Sequence, residues 1–389
     1  MSYKCDINVF DLIDNYRIIK PIGDGGFAYV FFVRDESTNR AYAMKISKDP
    51  MHNQVIDLER DVMEEITGNS CFPILVKSGY YRKNMYIIME LLGMNLASIR
   101  KLLDGKKFSL YTSLAVASQT INILEIFHNK GFVHRDVKPS NFLLKQKNVS
   151  ELCLIDFGLS KRYIDPNTGK PHPKSDKVRF VGTSRYASIN ALKNNDVSVC
   201  DDLISWFYMI VEQYVGQLPW SSITDKELIL AMKIKTPIEE ICNDLPQEMI
   251  NIYKYLETLQ YDDVVDYTFI HSQILEAIKN LNESNEKLLD WEQNPAITAS
   301  MIGAPLKRLL SDTLEGKSPE EVDVENSPSK PPQKPPVRGI ERELLSADEL
   351  NDTINDINNQ TPTLMAEQTE TNCCCCSCYA WRLLFHKKR

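Results

Sequence analysis

The chain has 389 residues, of which 43% are hydrophobic and 25% charged, a composition typical of a globular protein with a substantial core. Its formal net charge of −8 at pH 7 argues against a general nucleic-acid-binding protein, because such proteins rely on Lys and Arg to neutralise phosphates. The first residues lack a charged segment followed by an apolar one, and no run of about eighteen apolar residues occurs, so we expect a cytoplasmic protein. We also expect a monomer.

The first predicted elements are two strands joined by a glycine-rich turn. Residues 16–22 alternate apolar and polar side chains, residues 23–26 read Gly-Asp-Gly-Gly, and residues 27–33 are again rich in β-forming residues. Because glycine lacks a Cβ, backbone N–H groups in such a turn could approach phosphate oxygens closely. A glycine-rich hairpin without a ligand explains the same pattern, and the turn alone does not decide between the two.

A lysine interrupts the next predicted strand. Residues 41–46 form a short apolar run in which only Lys45 is charged, and a buried strand carries a lysine only beside an anionic partner. A helix predicted at residues 54–67 carries Glu59, fourteen residues after Lys45. Glu59 is therefore either one of several solvated helix carboxylates or the partner of Lys45 in an ion pair that directs the lysine at the phosphates of a nucleotide.

A further apolar strand is predicted at residues 85–93, which end at a glycine. Backbone groups at this strand end, at Glu90 and Leu92, could hydrogen-bond a flat base such as adenine. The apolar side chains expected around the base are Ile22, Val30, Ala43 and Leu143. Helices are predicted at residues 96–103 and 110–128, and Gly131 ends the second.

Residues 134–142 read His-Arg-Asp-Val-Lys-Pro-Ser-Asn-Phe, which is the pattern of a catalytic loop for phosphoryl transfer. In this pattern Asp136 accepts a proton from an attacking hydroxyl group, Lys138 neutralises charge on the phosphoryl group, and Asn141 binds a metal ion. Asp156, after the predicted strand at 152–155, is a second oxygen ligand for Mg²⁺, although an aspartate before a glycine is also common in simple turns.

Taken together, these motifs resemble the eukaryotic protein kinase family. They are Gly23, Gly25 and Val30, then Lys45, Glu59, residues 134–141 and Asp156-Phe157-Gly158. The third glycine of the family's loop is Ala28 here. Residues 182–190, Gly-Thr-Ser-Arg-Tyr-Ala-Ser-Ile-Asn, replace the usual Ala-Pro-Glu and are similar to the casein kinase 1 superfamily. Residues 138–142, 207–220 and 290–292 are similar to its tau-tubulin kinase branch.

The resemblance implies an α+β fold with two lobes over residues 10–293, a β-rich N-lobe (10–92) and a helical C-lobe (93–293). It also implies ATP and Mg²⁺ as cofactors and protein substrates with Ser or Thr sites. The implied site residues are Asp136, Lys138, Lys45 and Glu59 for catalysis, Ile22, Gly23, Gly25, Val30, Ala43, Lys45, Glu90, Leu92 and Leu143 for ATP, and Asn141 and Asp156 for the metal.

Members of this superfamily favour acidic or phosphate-primed substrates, and Arg185 matches the arginine of the family's anion site, with Lys226 as a second candidate. The basic residues around the activation segment agree physically, although a solvated loop of random charge is the alternative. They are Lys161, Arg162, Lys174, Lys177, Arg179 and Arg185.

Two other functions are alternatives to catalysis. A pseudokinase scaffold would bind nucleotide or partners without turnover, but such proteins usually lack an equivalent of Lys45, Asp136 or Asp156, and this chain keeps all three. A nucleotide-binding protein with a P-loop is excluded because the chain has no Gly-x-x-x-x-Gly-Lys-Ser/Thr stretch.

The remaining residues differ in composition. Residues 294–372 are predicted to be a disordered, acidic and proline-rich linker, which is either a spacer or a site for a proline-binding domain. Half of the ten cysteines are scattered singly and are expected to be reduced. The other five lie in residues 373–389, beside apolar side chains and a basic end. This segment resembles an S-acylated membrane anchor at the cytoplasmic face of a membrane. The alternative is a cysteine-rich end without lipid. The expected acylation sites are Cys373, Cys374, Cys375, Cys376 and Cys378.

Overall fold

A computed structural model describes residues 6–294, except residues 147, 177, 243 and 282–287. The predicted linker beyond residue 294 and the cysteine-rich segment lie outside the described residues. Within the described part, no helix is long and apolar enough to cross a membrane.

The N-terminal part is a six-stranded antiparallel sheet with one helix against it, and its strand order is β1-β2-β3-β4-β6-β5. The strands are β1 (Leu12–Ile13), β2 (Tyr16–Asp24), β3 (Ala28–Asp35), β4 (Ala41–Ser47), β5 (Leu75–Tyr81) and β6 (Asn84–Glu90), and the helix is α1 (Asn53–Glu65). Strands β2 and β3 pair up to the glycine-rich turn, with Gly23 opposite Val30.

Side chains of β4 alternate between the two faces of this sheet. Met44 and Ile46 are fully buried in a cluster that also contains Ile88 of β6. Ala43 belongs to the main core on the opposite face, and Lys45, two residues on, lies on that same face beside α1. The period of the strand thus brings the single lysine of β4 next to the helix.

The C-terminal part is mainly helical. Its helices are α2 (Leu96–Leu102), α3 (Leu110–Asn129), α4 (Ile189–Leu192), α5 (Val199–Val215), α6 (Lys226–Lys235), α7 (Ile238–Ile241), α8 (Gln247–Thr258) and α9 (Tyr267–Asn280). Four short strands form two antiparallel pairs, β7 (Phe132–Val133) with β10 (Lys161–Arg162) and β8 (Phe142–Leu144) with β9 (Leu152–Leu154).

Helix α5 lies at the centre of this part. It begins with a capping box between Ser198 and Asp201, and it ends where Gly216 adopts a left-handed φ of 97°. Most of its side chains are buried, including Trp206 and Phe207, and it packs against α3 and α8. The loops that follow β7 and β9 are therefore supported by a rigid apolar core.

The predicted fold class, a kinase-type fold with a β-rich N-lobe and a helical C-lobe, is confirmed. The strand predicted at residues 85–93 is shorter, because β6 ends at Glu90 and the next residues turn toward β8. There Gly93 N donates to Leu144 O at 2.7 Å, and Leu144 N donates to Met94 O at 3.0 Å. The predicted end of α3 is confirmed, since Gly131 follows it with a left-handed φ of 85°.

Candidate active site

Lys45 joins the sheet to two carboxylates. Its Nζ lies 2.5 Å from Glu59 Oε2 and 2.7 Å from Asp156 Oδ1. Glu59 is only 2% exposed, and burial raises its pKa. Burial also opposes ionisation of Asp156, but the charge of Lys45 and its hydrogen bond outweigh this and lower the pKa of Asp156 to about 2. Lys45 is therefore a buried cation that Glu59 of α1 holds beside Asp156, a carboxylate that stays ionised.

Asp136 is held by two side chains. Lys138 Nζ lies 2.5 Å from Asp136 Oδ2, and Thr183 Oγ1 donates to Asp136 Oδ1 at 2.7 Å. Lys138 Nζ also donates to Thr183 Oγ1 at 3.3 Å. Asn141 Nδ2 donates to Asp136 O at 2.9 Å, so its amide oxygen is the atom left to bind a cation. A carboxylate, a cation and an amide oxygen thus converge within one loop.

A buried aspartate of α5 supports this loop from below. Asp202, 2% exposed, accepts hydrogen bonds from His134 N at 2.6 Å and Arg135 N at 2.9 Å, and it lies 2.9 Å from His128 Nε2. Two successive N–H groups thus point at one carboxylate, and Arg135 itself adopts a left-handed φ of 68°. Burial opposes ionisation of Asp202, but the hydrogen bond from His128 leads the interactions that lower its pKa.

The segment that carries Asp156 is fixed by ring packing. Phe157 is fully buried and stacks on Phe127, with ring centroids 5.4 Å apart, and it meets the ring of His134 edge-on at 5.8 Å. Gly158 lies so close to α1 that a Cβ there would come within 2.7 Å of Val55 Cγ1. Only glycine fits at this position while α1 keeps Glu59 on Lys45.

Gly182 brings the segment before α4 against the loop of Asp136. It has a left-handed φ of 97°, and a Cβ built on it would lie 2.4 Å from Arg135 O. This close approach places the next residue, Thr183, within hydrogen-bonding distance of Asp136. The sequence motif at residues 182–190 indicates no role for Thr183, so this contact is visible only in the structure.

The residues expected around the base lie on β2, β3, β4 and β8, while Gly25 lies in the turn between β2 and β3, with its N–H donating to Ala28 O at 3.0 Å. Glu90 does not offer its side chain to a base, because both carboxylate oxygens bind Lys145 Nζ, at 2.8 and 3.0 Å. A ligand at Glu90 and Leu92 would therefore contact backbone groups of these residues.

The donor set fits a magnesium nucleotide. Among the described residues, no group of three or more His, Cys, Asp or Glu side chains could hold a metal ion alone. Mg²⁺ is commonly held by one or two protein oxygens together with phosphates of the substrate, and Asp156 and Asn141 are of this type. Lys45 supplies the cation for a phosphate.

The two candidates for an anion site have separate partners. Arg185 Nη1 lies 3.3 Å from Glu212 Oε1 and its Nη2 donates to Ser221 O at 2.9 Å, yet 41% of its side chain is exposed. Lys226 Nζ donates to Asn194 Oδ1 at 3.2 Å. Of the other basic residues, Lys161 is bound through both oxygens of the buried Asp196, at 2.6 and 2.7 Å, so it is committed to the fold.

Comparisons with known proteins agree with this geometry. The family model described as protein kinase domain matches residues 16–294. The chain is also similar to a probable serine/threonine-protein kinase of Dictyostelium discoideum, with 36% identity over 282 residues. That match covers 71% of this chain and 56% of the relative, so the chain spans little more than half the length of the curated relative.

Proposed function

Because this chain belongs to the protein kinase family, we propose that it is a serine/threonine protein kinase, transferring the γ-phosphoryl group of Mg-ATP to hydroxyl groups of protein substrates. The observation that carries the proposal is the set of contacts of Asp136. Its carboxylate is bound by Lys138 and Thr183, and the charge of Lys138 also lowers the pKa of Asp156, the partner of Lys45. The resemblance of the chain to a probable serine/threonine-protein kinase supports the choice of hydroxyl substrate.

In this mechanism the protein positions groups and stabilises charge. Asp136 orients the substrate hydroxyl and accepts its proton, while Lys138 places a positive charge beside the same carboxylate. Lys45, held by Glu59, would bind phosphate oxygens, and Asp156 with Asn141 would hold the metal. When bound, Mg-ATP would supply the phosphoryl group and leave as ADP, and the metal would neutralise the developing charge.

The direct test is an assay of the full chain with Mg-ATP and matched peptides that carry one Ser, one Thr or Ala at the same position. We expect phosphate on the Ser and Thr peptides alone, and loss of transfer on chelation of Mg²⁺ or in Lys45→Met. Lys83→Met, which removes an exposed lysine from the turn between β5 and β6, is the control. Nucleotide binding by the wild type without transfer to any peptide or protein would refute the proposal and favour the scaffold alternative.

We place the chain, within its family, in the tau-tubulin kinase branch of the casein kinase 1 superfamily, and we propose a preference for acidic or phosphate-primed substrates. The superfamily rests on residues 182–190, and the branch rests on residues 138–142, 207–220 and 290–292. The preference rests on Arg185, whose guanidinium is partly exposed beside the segment that contacts Asp136. Arg185→Ala should weaken use of a phosphorylated peptide more than use of its unphosphorylated counterpart. Lys279→Ala, on α9, removes the same charge from an exposed site and should leave the ratio unchanged. An equal loss on both peptides in Arg185→Ala would contradict this.

We propose that acylation of the cysteines in residues 373–389 attaches the protein to the cytoplasmic face of a membrane. Several acyl chains near the basic residues Lys387, Lys388 and Arg389 would provide the two signals that stable attachment needs. In fractionated cells, replacing the five cysteines by serine should move the protein to the soluble fraction, as should deletion of residues 373–389. Unchanged membrane association in both variants would exclude the proposal.

A further inference from the structure

Lys233 of α6 is a buried lysine in an apolar environment. The residue is 3% exposed, and its Nζ lies 4.5 Å from the ring centroid of Tyr208 and 4.9 Å from that of Trp220. Among the described residues no carboxylate forms an ion pair with it. Burial lowers the pKa of Lys233 well below the usual value for lysine. A buried lysine without a counter-ion is costly in either protonation state unless its N–H groups are hydrogen-bonded, so its retention calls for a specific set of acceptors.

Those acceptors belong to one short segment, residues 184–187. Lys233 Nζ donates to Ser184 O at 3.3 Å and to Ala187 O. The indole Nε1 of Trp220 donates to Arg185 O at 2.7 Å. Three of the four carbonyl groups in the segment are thus bound by Lys233 and by the tryptophan ring that lies against it.

The side chains of the segment are fixed as well. Arg185 forms an ion pair with Glu212, and Tyr186 OH donates to the same carboxylate at 2.6 Å. Glu212 is 1% exposed and belongs to α5. Residues 184–187 are therefore held to the helical core through both their backbone and their side chains.

The segment continues directly from the contact with Asp136. Thr183 donates to Asp136 Oδ1, and Ser184 is the next residue along the chain. A substrate hydroxyl must come within hydrogen-bonding distance of Asp136, so the protein substrate has to lie near Thr183. The path of residues 184–187 then decides where the substrate backbone can rest.

We propose that Lys233 is a positioning residue for the protein substrate. It holds residues 184–187 in the position that lets a bound substrate present its hydroxyl group to Asp136. The proposal rests on the proposed kinase function. The two aromatic faces and the two carbonyl oxygens offset part of the cost of burying the ammonium group. A methionine of similar length would fill the same space but would bind none of the carbonyl groups.

The test compares Lys233→Met and Lys233→Arg with Lys235→Met, which removes an exposed lysine from the same helix. Steady-state kinetics would be measured with varied peptide and varied ATP, alongside thermal unfolding. Lys233→Met should raise KM for the peptide by about tenfold to a hundredfold, the loss expected for a charge-assisted hydrogen bond, with KM for ATP within about twofold of wild type. Lys233→Arg, which keeps the cation, should recover part of this loss, and Lys235→Met should match wild type.

A folded Lys233→Met with unchanged peptide KM, or with equal changes in the KM values for peptide and ATP, would overturn the proposal. If Lys233→Met does not fold, Lys233→Leu replaces it, because leucine is smaller and also binds none of the carbonyl groups, and the same two results are read from it. Failure of the proposed function is distinguishable, since the wild type itself would then transfer no phosphate to any peptide.

Discussion

Replacing Thr183 by valine tests how residues 182–187 act on the reaction. The Thr183 hydroxyl donates to Asp136 Oδ1 at 2.7 Å and accepts from Lys138 Nζ at 3.3 Å. Valine has a similar shape but no hydroxyl, so Thr183→Val removes both hydrogen bonds and leaves the Lys138–Asp136 contact in place. The carboxylate would then be free to rotate away from the substrate.

The size of the effect follows from the lost bond to a charged group. Such a bond contributes about 1.5–3 kcal/mol, and about 1.4 kcal/mol corresponds to a tenfold change in rate. We therefore expect kcat of Thr183→Val to fall by about tenfold to a hundredfold. KM for ATP should stay close to wild type, because Lys45, Glu59 and Asp156 do not contact Thr183.

The assay is steady-state phosphoryl transfer to a fixed serine peptide, with ATP varied, for wild type, Thr183→Val and Thr183→Ser. Thr183→Ser keeps the hydroxyl group and should retain most of the activity. A Thr183→Val protein with wild-type kcat, or a Thr183→Ser protein as impaired as the valine variant, would show that the contact with Asp136 does not serve catalysis.

Two further predictions concern the backbone around this site. Gly182→Ala should lower kcat and stability more than Gly169→Ala does. Both glycines have a left-handed φ, but only at Gly182 would the added Cβ strike Arg135 O. Equal losses for the two variants in urea unfolding and in kinetics would contradict the close approach. Asp202→Asn should destabilise the protein by about 2–4 kcal/mol at pH 7. Because the folded pKa of Asp202 lies below its unfolded value, the difference in unfolding free energy between variant and wild type should shrink as the pH falls below about 4. Urea unfolding measures this difference, and a difference independent of pH would refute the prediction.

The contacts that sequence patterns could predict are those between regular elements. Lys45 interrupts an apolar strand and Glu59 lies on a helix soon after it, so strand and helix periodicity allow the two to face each other. The choice of an ion pair over a solvated carboxylate, and the two-lobed fold, were implied by the resemblance of the combined motifs to the protein kinase family.

Contacts made by irregular segments were not accessible in this way. Thr183 is 47 residues from Asp136 in sequence, and the two meet only because Gly182 takes a left-handed conformation against Arg135. Asp202 reads as one of two acidic residues in the first turn of α5, and nothing in its spacing shows that it receives the N–H groups of His134 and Arg135.

Lys233 was missed for a related reason. It lies in a helix whose sequence, Lys-Glu-Leu-Ile-Leu-Ala-Met-Lys-Ile-Lys, places lysines on more than one face. An apolar stretch around a lysine is a weak signal of burial, and only the packing of Tyr208 and Trp220 distinguishes Lys233 from the exposed Lys235. Its acceptors, residues 184–187, belong to a segment without regular structure, where periodicity carries no information.

In the proposed mechanism Asp136 accepts the proton of a substrate hydroxyl while other groups bind the nucleotide. The most direct measurement compares Asp136→Asn with wild type for both Mg-ATP binding and phosphoryl transfer. We expect unchanged Mg-ATP affinity and a fall in kcat of about a hundredfold to ten-thousandfold, the range for loss of a general base. Near-normal transfer by Asp136→Asn would contradict it.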